Sequence, residues 1–288
     1  MEKVKNYLSL IKFSHTIFAL PFALIGFFLA VESTGGIDSR VMVQKFFLVL
    51  GCMITARSAA MAFNRYLDRH FDALNPRTAI REIPAGIITH RNALLFTILM
   101  CVLFISCTFF INRVCFYLSP VALFVILFYS YTKRFTPLCH LILGLGLSLA
   151  PLGAWLAITG SFHILPLLLS FAVIFWVSGF DIIYALQDEE FDRNHNLKSI
   201  PAALGKEKAL WVSKILHLAS ALCIAAFGYL GQTGILFWIG GFVYAGMLVY
   251  QHSLVKPNDL KRVNLAFMTA NGIASVVFAV FVIADIYL

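Results

Sequence analysis

Charged side chains are scarce in this chain. Asp, Glu, Lys and Arg make up 12% of its 288 residues and 60% are hydrophobic, against about a quarter charged in soluble domains. That excludes an ordinary soluble fold and points to a polytopic protein of the lipid bilayer. Paired cysteines are missing as well. The six, at 52, 101, 107, 115, 139 and 223, lie singly in or beside apolar runs with no CxxC spacing, and they read as packing residues rather than a disulfide framework or zinc site. The eight histidines show no HExxH or other paired-ligand spacing. The opening MEKVKNYLSLIKFSH has spread charges and no small-residue cleavage site, so it is not read as a cleavable signal. A net charge of +8 in so apolar a chain reports loop orientation, and no nucleic-acid partner is expected.

Apolar runs long enough to span, about twenty residues each, fall near 16–33, 42–63, 92–112, 114–131, 138–159, 163–184, 210–230, 233–252 and 264–287. Nine helices alternate in direction, which divides the Lys and Arg residues between two sides. Eighteen lie on the side of the N-terminus and three, Arg40, Lys45 and Arg113, on the other, with Arg57 alone inside a span. The asymmetry predicts a cytoplasmic N-terminus. The expected fold is therefore an all-α membrane protein, nine transmembrane helices in one bundle, with residues 1–288 as a single domain.

The few acids are not spread evenly. Of fourteen, Asp68 and Asp72 lie in NRYLDRHFD after the second span, and Asp181, Asp188, Glu189, Glu190 and Asp192 lie in DIIYALQDEEFD after the sixth. Asn64, Asp68 and Asp72 are spaced by four, and Asp181, Tyr184, Asp188 and Asp192 by three, four and four, offsets that return to one face of an α-helix. NPRTAIREIPAG follows the first cluster and NHNLKSIPAALG the second, which suggests a parallel internal repeat of about four helices. Hydrated helix ends would explain either cluster alone; two copies at matching depth favour a shared site. Crowded carboxylates raise each other's pKa unless a cation compensates, and hard oxygen ligands suit Mg²⁺ bridging to a phosphate. The bases Arg77, Arg81, Lys133, Arg134 and Lys198 stand close by in sequence, so the combination is that of a site for magnesium and a polyanion such as diphosphate. Glu189 and Glu190 point off the Asp stripe and read as solvated. A transporter also uses intramembrane acids, but typically near mid-bilayer on broken helices in inverted repeats.

These residues resemble the UbiA-type intramembrane prenyltransferases. Asn64, Asp68 and Asp72 followed by Arg77-Thr78 and Arg81 are similar to the family's N-D-x-x-D-x-x-x-D and R-T-x-x-R. Asp181, Tyr184, Asp188 and Asp192 followed by Lys198-Ser199 are similar to its D-x-x-Y-x-x-x-D-x-x-x-D and K-S, and Tyr129, Lys133 and Arg134 to its Y-x-x-x-K-R. The resemblance implies a helical bundle with a site open to the cytoplasm and a lateral lipid-facing entrance, in the bacterial cytoplasmic (inner) membrane. It implies that Asn64, Asp68, Asp72, Asp181, Asp188 and Asp192 hold Mg²⁺ and diphosphate, and that Arg77, Lys133, Arg134 and Lys198 contact the diphosphate. The implied reaction moves a polyprenyl group from its diphosphate to a small aromatic acid, most simply 4-hydroxybenzoate for quinone synthesis, or a naphthoate-type acceptor for menaquinone. The alternative from another class is an ion-coupled transporter.

Two departures bear on the acceptor. Arg65 replaces the acid usual beside Asn64. IKFSHTIFALPFA stands where hydroxybenzoate enzymes commonly show R-x-D-K-P, so Lys12 falls at their Arg and Ser14 and His15 replace the acid and base. Lys12, His15 and Tyr129 are the expected acceptor contacts, with His15 or Tyr184 as a proton acceptor and Asp68, Asp72, Asp188 and Asp192 as the catalytic carboxylates. Tyr129, Tyr131, Trp155, Trp176 and Phe180 are candidate faces for an allylic cation. Small residues at Gly144, Gly146, Ala150 and Gly153 suggest where a prenyl tail could run.

Overall fold

The computed structural model describes residues 2–11 and 18–288, and they are helical throughout, with no sheet among them. A short helix α1 (Glu2–Leu10) precedes α2 (Leu20–Ser33), α3 (Ser39–Leu74), α4 (His90–Ile111), α5 (Arg113–Thr132), α6 (Cys139–Thr159) and α7 (Ile164–Ala185). A 3₁₀ turn (Leu186–Asp188) leads into the short α8 (Glu189–Asn194) and α9 (Ile200–Leu204). Then come α10 (Lys206–Leu230), α11 (Ile235–Leu254), a π-helical turn (Leu265–Ala270) and α12 (Asn271–Tyr287). Eight segments among the described residues are long and apolar enough to cross a membrane. The ninth expected span, 16–33, is described as the 14-residue α2, shorter than the about twenty residues that reach across a bilayer.

α3 is longer than its apolar run. Its 36 residues measure about 54 Å at 1.5 Å each, well over the roughly 30 Å of a hydrocarbon core. The surplus turns carry Asn64, Asp68 and Asp72 beyond the most apolar part. Asp38 caps the helix by accepting from the amides of Arg40 and Val41. The break between α4 and α5 falls at Asn112. Its side chain caps α5 at the Cys115 amide (2.8 Å) and donates to the carbonyls of Leu156 and Ala157 at the end of α6. One polar residue thus ends a helix, starts the next and satisfies carbonyls that a third would leave bare.

α3 lies against α4, and α7 lies between α6 and α10. α6 and α7 approach closely because Gly144 permits it: a Cβ there would stand 2.5 Å from the carbonyl oxygen of Ile174. Gly144 is thus a packing residue of that helix pair. Trp176 is buried at the centre of a core with Phe22, Tyr244 and Phe278. Its indole N–H donates to Asn271 Oδ1 at 2.8 Å, and Asn271 in turn donates to carbonyls of the π-helical turn at Ala266 and Phe267. That turn presents Phe267 to Phe18, Phe180 and Tyr184, with the Tyr184 ring centre 4.4 Å away. Large apolar side chains such as Phe109, Phe110, Phe242 and Val249 remain exposed on the outside, as a lipid-facing surface requires.

Candidate active site

A cavity of about 620 Å³ opens among the ends of α3, α5, α6 and α7. Both acid clusters line it: Asn64, Asp68 and Asp72 from one side, Asp181, Tyr184, Asp188 and Asp192 from the other. Asn64 Nδ2 donates to Asp68 Oδ2 at 3.2 Å, one turn along α3. The second cluster differs from its expected form. α7 ends at Ala185 and the 3₁₀ turn intervenes before α8, so Asp181, Tyr184, Asp188 and Asp192 do not share one continuous α-helical stripe. The tighter turn advances each residue by a different angle, and the side chains still line the one cavity.

Four of the acids are matched one to one with bases. Arg134 Nη2 stands 3.0 Å from Asp68 Oδ1, Arg81 Nη1 2.6 Å from Asp72 Oδ1 and Lys133 Nζ 2.7 Å from Asp192 Oδ1. Arg77 grips Asp188 with two bonds, Nη2 to Oδ2 at 2.5 Å and Nε to Oδ1 at 3.1 Å. It also donates from Nη1 to the Tyr184 hydroxyl at 3.0 Å, while Asn75 Nδ2 donates to the same Asp188 at 3.2 Å. The loop after the first cluster is therefore fastened to the second. Burial alone would lower the affinity of Arg77 and of Lys133 for their protons. The facing carboxylates more than offset it, Asp188 for Arg77, and Asp192, Asp188 and Asp68 for Lys133, so both are held above their ordinary pKa.

Some carboxylate oxygens remain unsatisfied. Asp72 Oδ2 and Asp192 Oδ2 are buried without a hydrogen-bond partner, while Asp192 Oδ1 faces the Lys133 ammonium. Bare buried carboxylate oxygens are costly unless a ligand completes them, and hard, acid-lined oxygen sets fit magnesium. Among the described residues no three His, Cys, Asp or Glu side chains converge as a ready-made metal centre, because Arg and Lys stand between the acids.

Other expected residues fall elsewhere. Lys12, Ser14 and His15 lie outside the described residues. Lys198 is exposed and does not line the cavity; its backbone N–H instead donates to the Lys133 carbonyl at 2.6 Å. Arg134 meets the site through Asp68. Tyr129 and Phe180 line the cavity, but Trp155, Trp176 and Tyr131 do not: Trp155 donates to the Ser161 carbonyl, Trp176 belongs to the core and Tyr131 is 49% exposed. Glu189 pairs with Arg193 and Lys206 outside the cavity, and Glu190 is exposed.

His140 is a member that sequence spacing does not reveal. Its Nδ1 lies 2.6 Å from Asp181 Oδ2 and its Nε2 accepts the Ile200 amide at 3.3 Å, which leaves the proton on Nδ1, facing the carboxylate. The one hint in the sequence is a polar residue opening an apolar helix directly after Lys133 and Arg134. A second, apolar cavity of about 350 Å³ adjoins the first among α3–α6, sharing Arg57, Met61, Tyr129, Leu143 and Leu147 with it. Gly146, Ala150 and Gly153 line this chamber; Gly144 does not.

Comparisons with known proteins agree on one family. The model of the UbiA prenyltransferase family matches residues 19–273. The 4-hydroxybenzoate octaprenyltransferase of Nitrosospira multiformis is 30% identical over 89% of this chain and 86% of its own, and that of Tolumonas auensis 30% identical over 77% and 78%. Among solved structures, the apo UbiA homologue of Aeropyrum pernix K1 superposes with a TM-score of 0.79 at 30% identity, covering 94% of this chain and 96% of that one. The Archaeoglobus fulgidus homologue bound to DMAPP and Mg²⁺ shares the fold, with a TM-score of 0.77 at 24% identity over 98% and 99%.

Proposed function

The chain belongs to the UbiA prenyltransferase family, and on that premise we propose that it moves a polyprenyl group from its diphosphate to the ring of an aromatic hydroxy acid, releasing diphosphate. The observation that carries this reading is the bridge from Arg77 and Asn75 to Asp188, which ties both acid clusters to one cavity. 4-Hydroxybenzoate is the favoured acceptor, the substrate in the names of relatives from Nitrosospira and Tolumonas. A naphthoate-type acceptor for menaquinone is the second reading, favoured by the KFSH stretch at 12–15 in place of the hydroxybenzoate pattern.

Asp68, Asp72, Asp188 and Asp192, with Asn64 and Asp181 beside them, are the residues that would hold Mg²⁺. When bound, the metal draws charge from the diphosphate and makes it a better leaving group. With the acids holding the metal, Arg77, Arg81, Lys133 and Arg134 would be free to turn to phosphate oxygens. Lys133 and Arg77, held above their ordinary pKa, remain charged for that task. The Tyr184 hydroxyl accepts from Arg77, which leaves its own proton to donate to the departing group.

The prenyl tail occupies the apolar chamber, and its reacting carbon lies where the two cavities meet. There the ring of Tyr129, with Phe180 and Phe267 on the first-cavity side, steadies positive charge as the carbon–oxygen bond breaks. Met61, Leu143 and Leu147 wall the junction beside Tyr129; the acceptor ring attacks the carbon there as its bond to the diphosphate oxygen breaks, and then gives up the ring proton from the attacking position. Eighteen basic residues against three support a cytoplasmic N-terminus and a site facing the cytoplasm of a bacterial inner membrane. The matched packing of α3 on α4 and α7 on α10 supports the parallel repeat of four helices within one domain.

The test is incubation of the purified protein with prenyl diphosphates and a panel of hydroxybenzoates and hydroxynaphthoates, with Mg²⁺ or with EDTA. Prenylated acid and diphosphate should form with Mg²⁺ and stop with the chelator. Turnover unaffected by EDTA, or diphosphate release with no prenylated acid from any acceptor, would contradict it.

A further inference from the structure

Five aspartates line the first cavity, and four of them face an Arg or Lys. Asp181 is the exception. Its Oδ2 meets the imidazole of His140 at 2.6 Å. Its Oδ1 has no hydrogen-bond partner among the described residues and is left open to the cavity.

The tautomer of His140 follows from its other neighbour. An amide N–H can only donate, so the Ile200 amide, 3.3 Å from Nε2, fixes that nitrogen as the bare one. Nδ1 then carries the single ring proton and donates it to Asp181. The ring is neutral, 2% exposed and held at both ends. Turned over, it would present carbon to the carboxylate and to the amide and lose both bonds. With its one lone pair taken, His140 is neither a metal ligand nor a proton acceptor, and it acts through Asp181.

The clasp is built on fixed parts. His140 opens α6 and Asp181 stands near the end of α7, and Gly144, one turn from His140, lets the two helices close up. Ile200 begins α9. The residues before it are tied to the α5–α6 connection as well, the Lys198 amide to the Lys133 carbonyl at 2.6 Å and the Cys139 thiol to the Lys198 carbonyl at 3.5 Å. His140 is thus where the segment that follows the second acid cluster bears back on the cluster itself.

A neutral partner has a consequence that a cation would not. An Arg or Lys beside a carboxylate cancels the charge that draws a metal, and the pair must part before the metal enters. An imidazole N–H orients the carboxylate and leaves its charge whole. We propose that His140 is a positioning residue, which holds Asp181 by one oxygen and turns the other to the cavity, so that Asp181 meets Mg²⁺ with no ion pair to break. The inference rests on the prenyl-transfer reading for the identity of the metal, and adds to it a residue that serves the metal from behind its ligand.

Two variants of nearly equal shape divide the bonds of His140. In His140→Asn the side-chain amide replaces Nδ1–H and still donates to Asp181; in His140→Leu nothing does. Both lose the Ile200 bond, so both should lower the ligand-free Tm equally. Mg²⁺ is titrated into the purified chain at a fixed concentration of inorganic pyrophosphate, and binding is read as the rise in Tm. His140→Leu should raise the Mg²⁺ needed for half the rise by about 10- to 100-fold, the usual cost of removing a partner of a metal ligand, and His140→Asn by less than about threefold. In an Asp181→Asn background, His140→Leu should add less than about twofold, because no charge is left to aim. The Mg²⁺ that gives half-maximal diphosphate release from a prenyl diphosphate should shift in the same order.

A Leu variant that binds Mg²⁺ as wild type does, an Asn variant as weak as Leu, or a Leu loss that adds in full to that of Asp181→Asn would each overturn the proposal. Where His140→Leu does not fold, His140→Met, which fills space without a donor, takes its place. Metal binding that depends on His140 without prenylation of any acid would keep the inference and reject the acceptor reading. A wild type that gains no stability from Mg²⁺ and pyrophosphate would overturn both.

Discussion

The two acid clusters look alike in sequence and are built differently. The first rides on α3, unbroken from Ser39 to Leu74, and one of its acids is neutralised by its own loop, Arg81 against Asp72. The second crosses a helix end and a 3₁₀ turn, and its acids draw their partners from other elements: Arg77 for Asp188, Lys133 for Asp192 and the imidazole N–H of His140 for Asp181. The first wall thus supplies one of its own counter-ions and borrows Arg134 for Asp68, while the second borrows all of its partners. Damage to the loop after α3 should reach the second cluster, while damage to the second cluster leaves the Arg81–Asp72 pair intact.

The largest effect should come from the acids themselves. Asp188→Asn or Asp68→Asn should lower kcat by about 10³-fold, with size-exclusion profile and helicity unchanged, measured by diphosphate release in Mg²⁺. Next comes the bridge. Arg77→Ala should cost about 100-fold, and Arg77→Lys should recover little of it, because an ammonium cannot make the two-bond grip. Arg81→Ala should cost clearly less, since it serves one wall; equal losses for Arg77 and Arg81 would erase the asymmetry. Lys198→Ala should change kcat/KM by less than about threefold, being exposed and outside the cavity, and a loss as large as that of Arg77→Ala would restore it to the site. Trp176→Phe should leave kcat in place and lower stability by about 1–2 kcal/mol, read as thermal unfolding in detergent.

Much of this was legible in the sequence, and the rest has physical reasons for being hidden. Eight of the nine apolar runs reappear as helices long enough to span, because a bilayer demands about twenty apolar residues whatever the packing. Asn64, Asp68 and Asp72 could be placed on one face because α3 keeps the regular helical period. The same logic failed past Ala185, since no residue announces a 3₁₀ turn. His140 could not be paired with Asp181, nor Arg77 with Asp188, because such partnerships depend on which helices meet. The π-helical turn that aims Phe267 at Tyr184 also has no sequence mark. Among 28 Phe, 10 Tyr and 4 Trp, composition cannot tell Trp176, a core residue, from Tyr129, a cavity residue. Lys198 matched a motif by its place in the chain, yet its backbone, not its ammonium, reaches toward Lys133.

The most direct test is a double-mutant cycle on Mg²⁺-dependent binding of a prenyl diphosphate, pairing Asp68→Asn with Asp188→Asn. If both clusters grip one headgroup, either change alone should remove most of the affinity and the pair should lose little more. Losses that simply add, as for two separate sites, would contradict it.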